Sequence, residues 1–374
     1  MAAAFVATPH LAIQRAIAIG THAHGDLPSS VEWIESSHPF PDQRSEAAGS
    51  RAIAVAQGVR SGEALVILLS GGASALMAAP IDGITLADKI DTTRLMMASG
   101  ADIHSLNTVR RHLSRVKGGR LAAACVGTTL TLAISDVVGD DLHAIGSGPG
   151  VEDATTWSDA AAALDRFGGD RHSPRVRGVI GAGLAGLAPD TPKPGHPALA
   201  RAVARVIGSR IDAMAGARAA AIARGYRTFV VTEPVTGEAR IAGPQWLDRA
   251  REMVGPSARK VCVISSGETT VRVTGEGTGG RNLEFALSIA DRMSSWPNSA
   301  AASIGTDGID GSSGVAGGIV DFTTMARSAR AGLSPPGHYL EANDSFAFFA
   351  PLGDAVRLGR TDTNVGDLQV LLID

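Results

Sequence analysis

Turns rich in glycine, hydroxyl and carboxylate groups, placed where strand-like runs end, are the first candidates for chemistry in this chain. The apolar run Ala64–Leu69 leads into Ser70-Gly71-Gly72-Ala73-Ser74, and Val261–Ile264 leads into Ser265-Ser266-Gly267-Glu268. Two further runs end in acid: Thr129–Ile134 at Ser135-Asp136 with Asp140 following, and Ala300–Ile304 at Thr306-Asp307 with Asp310 following. Strand ends are where open α/β sheets bind ligands, although Ser, Gly and Asp also serve as ordinary turn and cap residues. A basic segment, Asn107-Thr-Val-Arg110-Arg111-His112-Leu-Ser-Arg115-Val-Lys117, completes the set. It reads equally as a solvated helix face, with Arg111 and Arg115 four apart, or as a cationic wall for a small anion with Asn107 and Lys117 at its ends. Two glycine turns, two acidic turns and a basic segment suit phosphoryl transfer onto a small acid, with a metal neutralising charge.

Other chemistries fit less well. Gly181-Ala-Gly183-Leu-Ala-Gly186 has the dinucleotide spacing, but Pro189, Pro192 and Pro194 forbid the helix that should follow. Gly275-Glu-Gly277-Thr-Gly279-Gly280 is better placed, after an expected strand at Val271–Thr274 and before a helix opening with Arg281 and Asn282. It lacks the acidic residue about 20 positions on that would hold a ribose, so phosphate contact through its backbone is favoured over a plain turn. No P-loop or protein-kinase signature is present. Gly72-Ala-Ser74-Ala-Leu76 falls one glycine short of a serine-hydrolase elbow. Asp307 and Asp310 have the wrong spacing for a calcium loop, yet either could bind Mg²⁺ carried by a nucleotide.

The elements that must position these residues alternate apolar strands with helical stretches, which predicts α/β folding with parallel sheets covered on both faces. A length of 374 residues exceeds one core. The breaker cluster Pro189–Pro197 sets the expected boundary, giving domains 1–197 and 198–374. A net charge of −3 argues against a nucleic-acid-binding surface or a polybasic membrane anchor. No apolar run spans a bilayer. Cys125 and Cys262, far apart in apolar surroundings, rule out a disulfide framework and fit a reducing cytosol. Met1–Gly20 lacks a basic region, so it reads as helix from residue 1 and not as a signal peptide. Only Lys89, Lys117, Lys193 and Lys260 are lysines, which makes any lysine near a site conspicuous.

Taken in order, the motifs resemble class II glycerate kinases of the MOFRL family. They are Ser70-Gly-Gly-Ala-Ser-Ala-Leu, Asn107-Thr-Val-Arg-Arg-His-Leu-Ser with Lys117-Gly-Gly-Arg, Ser135-Asp-Val, Ser147-Gly-Pro and Thr191-Pro-Lys-Pro-Gly. Ser266-Gly-Glu-Thr-Thr, Gly279-Gly-Arg-Asn-Leu-Glu, Gly305-Thr-Asp-Gly-Ile-Asp-Gly and Thr363-Asn-Val-Gly-Asp continue the series. The resemblance covers nearly the whole chain. It implies two Rossmann-like three-layer α/β domains with mostly parallel sheets and an active site in the cleft between them. It also implies ATP-dependent phosphorylation of D-glycerate at the 2-hydroxyl in the cytoplasm, with Mg²⁺; a homo-oligomer is compatible with it. The roles it suggests are Arg281 and Asp307 for catalysis. Ser70, Gly71, Gly72, Ser74, Asn107, Arg110, Lys117, Ser266, Gly267 and Asn282 would contact substrate or phosphate, and Glu268, Asp136 and Asp310 the metal.

The family pairs that arginine with a lysine from a first strand-to-helix turn, for which this sequence has no counterpart. About forty residues of the family's N-terminus are expected to be absent, leaving the chain catalytically weak and some sheet edge uncovered. A late start site, a degenerate paralogue or a substitute lysine would each account for this. Lys117 and Lys193 match their own family positions, and Lys89 is expected just after a loop. Two other functions stay open: an NAD(P)H-dependent hydroxypyruvate reductase, and a non-catalytic metabolite-binding paralogue.

Overall fold

The computed structural model describes residues 1–22, 27–255 and 259–374. The chain divides into two units: Met1–Ala133 with Asp140–Ile207, and Ile134–Gly139 with Gly208–Asp374. The changeover lies at 207/208, not within the proline-rich segment. The helix Pro174–Leu184 ends before the prolines, and His112 bonds Asp190, Asp153 accepts from Thr191, and Lys193 donates to Thr191, so the segment is tied into the first unit.

In the first unit, β1 (Ala16–Gly20) pairs in parallel with β2 (Val31–Glu35). A separate three-stranded sheet has the order β3-β4-β5, from β3 (Ala64–Leu69), β4 (Thr128–Ile134) and β5 (Ala202–Gly208). All five residues of β1 are only half-buried. The expected N-terminal helix is limited to α1 (Ala2–Val6): Pro9 follows, His10 takes a positive φ, and Ala16–Gly20 is strand. Helix α2 (Gln43–Gln57) starts at a capping box between Asp42 and Ser45 and buries Ala48, Ala52 and Ala56 at four-residue spacing. The short α3 (Ala73–Leu76) follows the first glycine turn, and α4 (Leu86–Ala98) and α5 (Ile103–His112) carry the basic segment's surroundings. Met96, Leu106, Val109 and Leu113 pack with Trp157, Leu164 and Ile180, each large apolar side chain contributing about 2 kcal/mol by burial.

The second unit's sheet is mixed. Its strands are β6 (Arg227–Val230), β7 (Val235–Glu238), β8 (Val261–Thr270), β9 (Ser299–Gly305), β10 (Gly317–Asp321), β11 (Ala355–Val356) and β12 (Asp367–Ile373). The order is β11-β10-β9-β12-β8-β6, with β7 also on β8. β6 and β7 run parallel to β8, whereas the other pairings are antiparallel. The expectation of mostly parallel sheets therefore fails here. Uninterrupted apolar strands report burial on both faces, not direction, and β12 is buried between β8 and β9 by antiparallel pairing. Helix α6 (Ala239–Val254) and α7 (Arg281–Ser288) pack on this sheet through Trp246, Leu247, Leu283, Phe285 and Leu287. Among the described residues, no helix is long and apolar enough to cross a membrane.

Candidate active site

In the second unit the motif residues converge at the strand ends around Arg281. β12 begins with Asp367, which lies opposite Gly267 of β8 and Gly305 of β9. That register sets its fully buried carboxylate beside the start of α7. Arg281 Nε donates to Asp367 Oδ2 at 2.7 Å, and its Nη1 lies 3.4 Å from Glu268 Oε1. Asn282 Nδ2 donates to Asp367 Oδ1 at 2.9 Å while its Oδ1 accepts from Ser303 Oγ at 2.6 Å. Asn364 Nδ2 donates to Asp136 Oδ2 at 3.2 Å, and Thr306 Oγ1 donates to the Gly366 carbonyl at 2.6 Å.

The electrostatics follow from this crowding. Burial opposes the charge of Arg281, but Asp367, Glu268 and Asp310 outweigh it and hold the guanidinium firmly protonated. Burial raises the Glu268 carboxyl against the pull of Arg281, with Asp367 and Asp136 adding repulsion. Burial likewise raises Asp136; its backbone N–H, Arg281 and Asn364 oppose this, and Asp307 adds to it. Several carboxylates thus share one guanidinium. A polyphosphate entering such a group needs a cation to offset the repulsion.

Asp310 does something different. Its Oδ1 accepts from the Asn282 N–H at 3.0 Å and its Oδ2 from the Leu283 N–H at 2.8 Å, so the side chain caps α7. Each oxygen accepts a backbone N–H, so the side chain positions the start of α7. Asp307 Oδ1 accepts from the Ile309 N–H at 3.0 Å and shapes the same turn. Among the described residues, no three His, Cys, Asp or Glu side chains form a cage for a metal by themselves. Gly280 sits where a Cβ would meet Asp310 Cγ at 2.3 Å. Gly280→Ala is therefore expected to push the cap off the helix and cost about 2 kcal/mol, read as a lower melting temperature of the second unit.

Two expectations for this unit change. Ser265–Glu268 is not a turn: β8 runs through it to Thr270, with Ser266 and Gly267 buried in it, and a Cβ at Gly267 would meet the Val235 carbonyl oxygen at 1.9 Å. Val271–Thr274 is not strand, because the pairing partners of β8 end before it. The Gly275–Gly280 loop is also less suited to cradle phosphate than its spacing suggests. The N–H groups of Thr274 and Gly275 donate to Asn343 Oδ1, that of Gly277 to the Ala342 carbonyl, and that of Thr278 to Asp344 Oδ1. The other glycine match, Gly181–Gly186, lies at the end of the helix Pro174–Leu184, as unsuited to a dinucleotide as the prolines implied.

In the first unit the glycine turn is braced from below. Gly72 takes φ +81° at the start of α3, a left-handed conformation suited to glycine. Lys117, 2% exposed, donates from Nζ to the Ser74 carbonyl at 2.8 Å, to Ser74 Oγ at 3.0 Å and to the Gly146 carbonyl at 3.5 Å. Ser74 Oγ lies 3.0 Å from Ser147 Oγ, which donates to Asn107 Oδ1 at 3.0 Å. Ser70 is exposed at the strand end, Gly71 and Ser74 are half-buried, and Asn107 is buried. The basic segment is solvated only in part: Arg111 and Lys117 are buried and Arg110 half-buried, whereas Arg115 is exposed. Helix α5 ends at His112, Arg111 forms a buried ion pair with Asp153 at 3.1 Å, and Arg115 Nε donates to the Pro80 carbonyl. Lys193 is held by Asp190 and Thr191. Asp367, Asn364 and Ser147 were missed as individual residues, though each lies within a quoted motif.

A guanidinium ringed by carboxylates on one unit and a lysine-braced glycine turn on the other are arrangements for handling small anions and phosphate. Residues 1–181 match a domain of unknown function, DUF4147, and residues 261–367 match the MOFRL family. A glycerate 2-kinase of Pyrococcus horikoshii is 35% identical over 97% of this chain and 82% of its own length. A D-glycerate 2-kinase of Thermotoga maritima is 34% identical over 96% and 85%, and a putative hydroxypyruvate reductase of Agrobacterium vitis is 38% identical over 96% and 81%. The crystal structure of a Thermotoga maritima glycerate kinase superposes with a TM-score of 0.87 at 34% identity, covering 97% of this chain and 86% of that one. The chain belongs to the glycerate kinase family.

Proposed function

We propose that this chain transfers the γ-phosphoryl group of ATP to the 2-hydroxyl of D-glycerate, giving 2-phosphoglycerate and ADP. The observation that carries the reading is Arg281, kept charged by Asp367 and Glu268 at the strand ends. In this reaction the hydroxyl oxygen attacks the γ-phosphorus as the bond to the ADP oxygen breaks, and charge spreads over the transferring oxygens. Arg281 stabilises that charge. Asn282 fixes Asp367, and Asp367 fixes the guanidinium. The substrate hydroxyl proton passes to a carboxylate, a role we give to Asp307, whose Oδ1 is held by the Ile309 N–H.

The donor set also fits Mg²⁺ carried by the nucleotide. Asp136 and Glu268 are hard oxygen donors, and the phosphates would complete the shell. When bound, the cation would neutralise phosphate charge. Asp307 adds negative charge beside Asp136, while Asp310 holds the helix that presents Arg281 and Asn282. On the first unit, Ser70, Gly71, Gly72 and Ser74 would meet carboxylate or phosphate, and Asn107 and Lys117 would act through Ser74. Arg110 would add positive charge. Ser266 and Gly267 support Glu268 from within the strand.

Incubation with ATP, Mg²⁺ and D-glycerate, followed by phosphorus NMR, tests this. A phosphate ester on C2 couples to one proton and gives a doublet. A triplet would mark the terminal carbon and refute the position. Loss of nicotinamide absorbance with hydroxypyruvate and no ATP would favour a reductase, and ligand binding with no product a non-catalytic paralogue.

A further inference from the structure

The glycine loop 275–280 runs directly into Arg281 at the start of α7, and it is seated against residues 342–345. A Cβ at Gly275 would meet the Ala342 carbonyl oxygen at 2.2 Å, one at Gly277 the Asp344 Cβ at 2.3 Å, and one at Gly279 the Ser345 Oγ at 2.4 Å. These glycines permit a close approach that side chains would prevent. Asn343 sits at the centre of the contact, 6% exposed and with φ +52°. Its Oδ1 accepts from the Thr274 and Gly275 N–H groups at 2.7 and 2.8 Å. Its Nδ2 donates to the Arg272 carbonyl at 3.2 Å and to Glu284 Oε1 at 2.7 Å, which uses both amide protons and both lone pairs. Glu284, 1% exposed, lies on α7 one turn from Arg281, and its other oxygen accepts from Arg240 Nη2 on α6 at 3.0 Å. One amide thus joins the stretch entering the loop to the helix leaving it.

We propose that Asn343, acting through Glu284, is a positioning residue for Arg281: it sets where α7 stands and so where the guanidinium is presented. Neither residue touches the reacting atoms. A buried polar network whose members are all satisfied fixes one arrangement, whereas apolar packing alone tolerates sliding. Asp310 grips the first N–H groups of α7 and Asp367 grips the guanidinium. Asn343 adds the register between that helix and the loop before it. The catalytic part of the assignment rests on the phosphoryl-transfer reading, and the placement of the guanidinium does not.

Asn343→Asp, alone and combined with Glu284→Gln, tests this in the full chain, each variant assayed well below its melting temperature. An aspartate still accepts from Thr274 and Gly275, but it sets a second carboxylate against Glu284. In the double variant the glutamine donates to that aspartate and still accepts from Arg240, so the link re-forms with reversed polarity. Asn343→Asp should lower kcat roughly tenfold or more, the effect of a slight misplacement, with KM for ATP and D-glycerate within about threefold. The double variant should recover kcat to within about fivefold of the parent. Met293→Ala, a core truncation in the same unit, should lower the melting temperature and leave kcat within about threefold. The ¹⁵N–¹H signal of Arg281 Nε, assigned by its absence in Arg281→Lys, reports the placement without turnover. It should move in Asn343→Asp and return in the double variant. Unchanged kcat with an unmoved signal in Asn343→Asp, no recovery in the double variant, or an equal loss of kcat in Met293→Ala would overturn the assignment. A parent chain that makes no phosphoryl product would remove the kinase reading, and the Nε signal would then decide the positioning.

Discussion

Arg281→Lys is expected to lower kcat for ATP-dependent glycerate phosphorylation by roughly 10²- to 10³-fold, with a much smaller change in KM. Lysine keeps the charge, but its donors radiate from one nitrogen and lack the fixed planar fork that holds Asp367 from Nε and leaves other nitrogens for transferring oxygens. The loss corresponds to removing one directed donor from a developing oxyanion. Folding should be nearly unaffected, because Asn282 still donates to Asp367 Oδ1 and an ammonium still balances the carboxylates. Steady-state kinetics beside thermal unfolding separate the two effects. A kcat within threefold of the parent would remove Arg281 from the mechanism. A collapse in melting temperature would instead assign it to the fold.

Asp310→Ala is expected to have the largest effect on stability. It leaves the buried N–H groups of Asn282 and Leu283 without acceptors, at about 1–3 kcal/mol each. The sum of about 3 kcal/mol corresponds to a fall of roughly 6–12 °C for a unit of this size. Burial raises this carboxyl from 3.8 to about 6, against the N–H groups of Asn282 and Leu283, which lower it. The folded state therefore holds a proton between those values that the unfolded state has released. The contribution of this group to stability is thus greatest below pH 3.8, declines as pH rises through the window, and levels off above about 6. Melting curves from pH 4 to 7 should show that decline in the parent and lose it in Asp310→Ala. A shift under 2 °C at neutral pH would refute the capping role, and an unchanged pH profile would refute the raised proton affinity of Asp310.

Much of the site was legible because its residues lie in continuous motifs. Arg281 with Asn282, Asp136, and Asp307 with Asp310 could be picked out where they stand. Their partners were harder to see. Asp367 reaches Arg281 across 86 residues, and Asn364 reaches Asp136 across 228. Such pairings depend on strand register, which local spacing does not contain. The glycine loop at 275–280 misled for a related reason. Its spacing offered free N–H groups, but Asn343 and Asp344 from a distant segment take several of them.

By itself, the sequence determined the α/β class, the strands β3, β4 and β9 to within about a residue, and the family, since apolar periodicity and contiguous motifs are local properties. The tertiary structure decided the rest. Strand direction in the second unit, the capping of α7 by Asp310, and the burial of Arg111 and Lys117 all depend on which distant groups meet. Lys89 shows the difference most clearly. In the sequence it is one of four lysines beside an expected loop. Only the packing around α4 leaves its ammonium enclosed and, among the described residues, without a hydrogen-bond partner, because desolvation is a property of neighbours and not of sequence position.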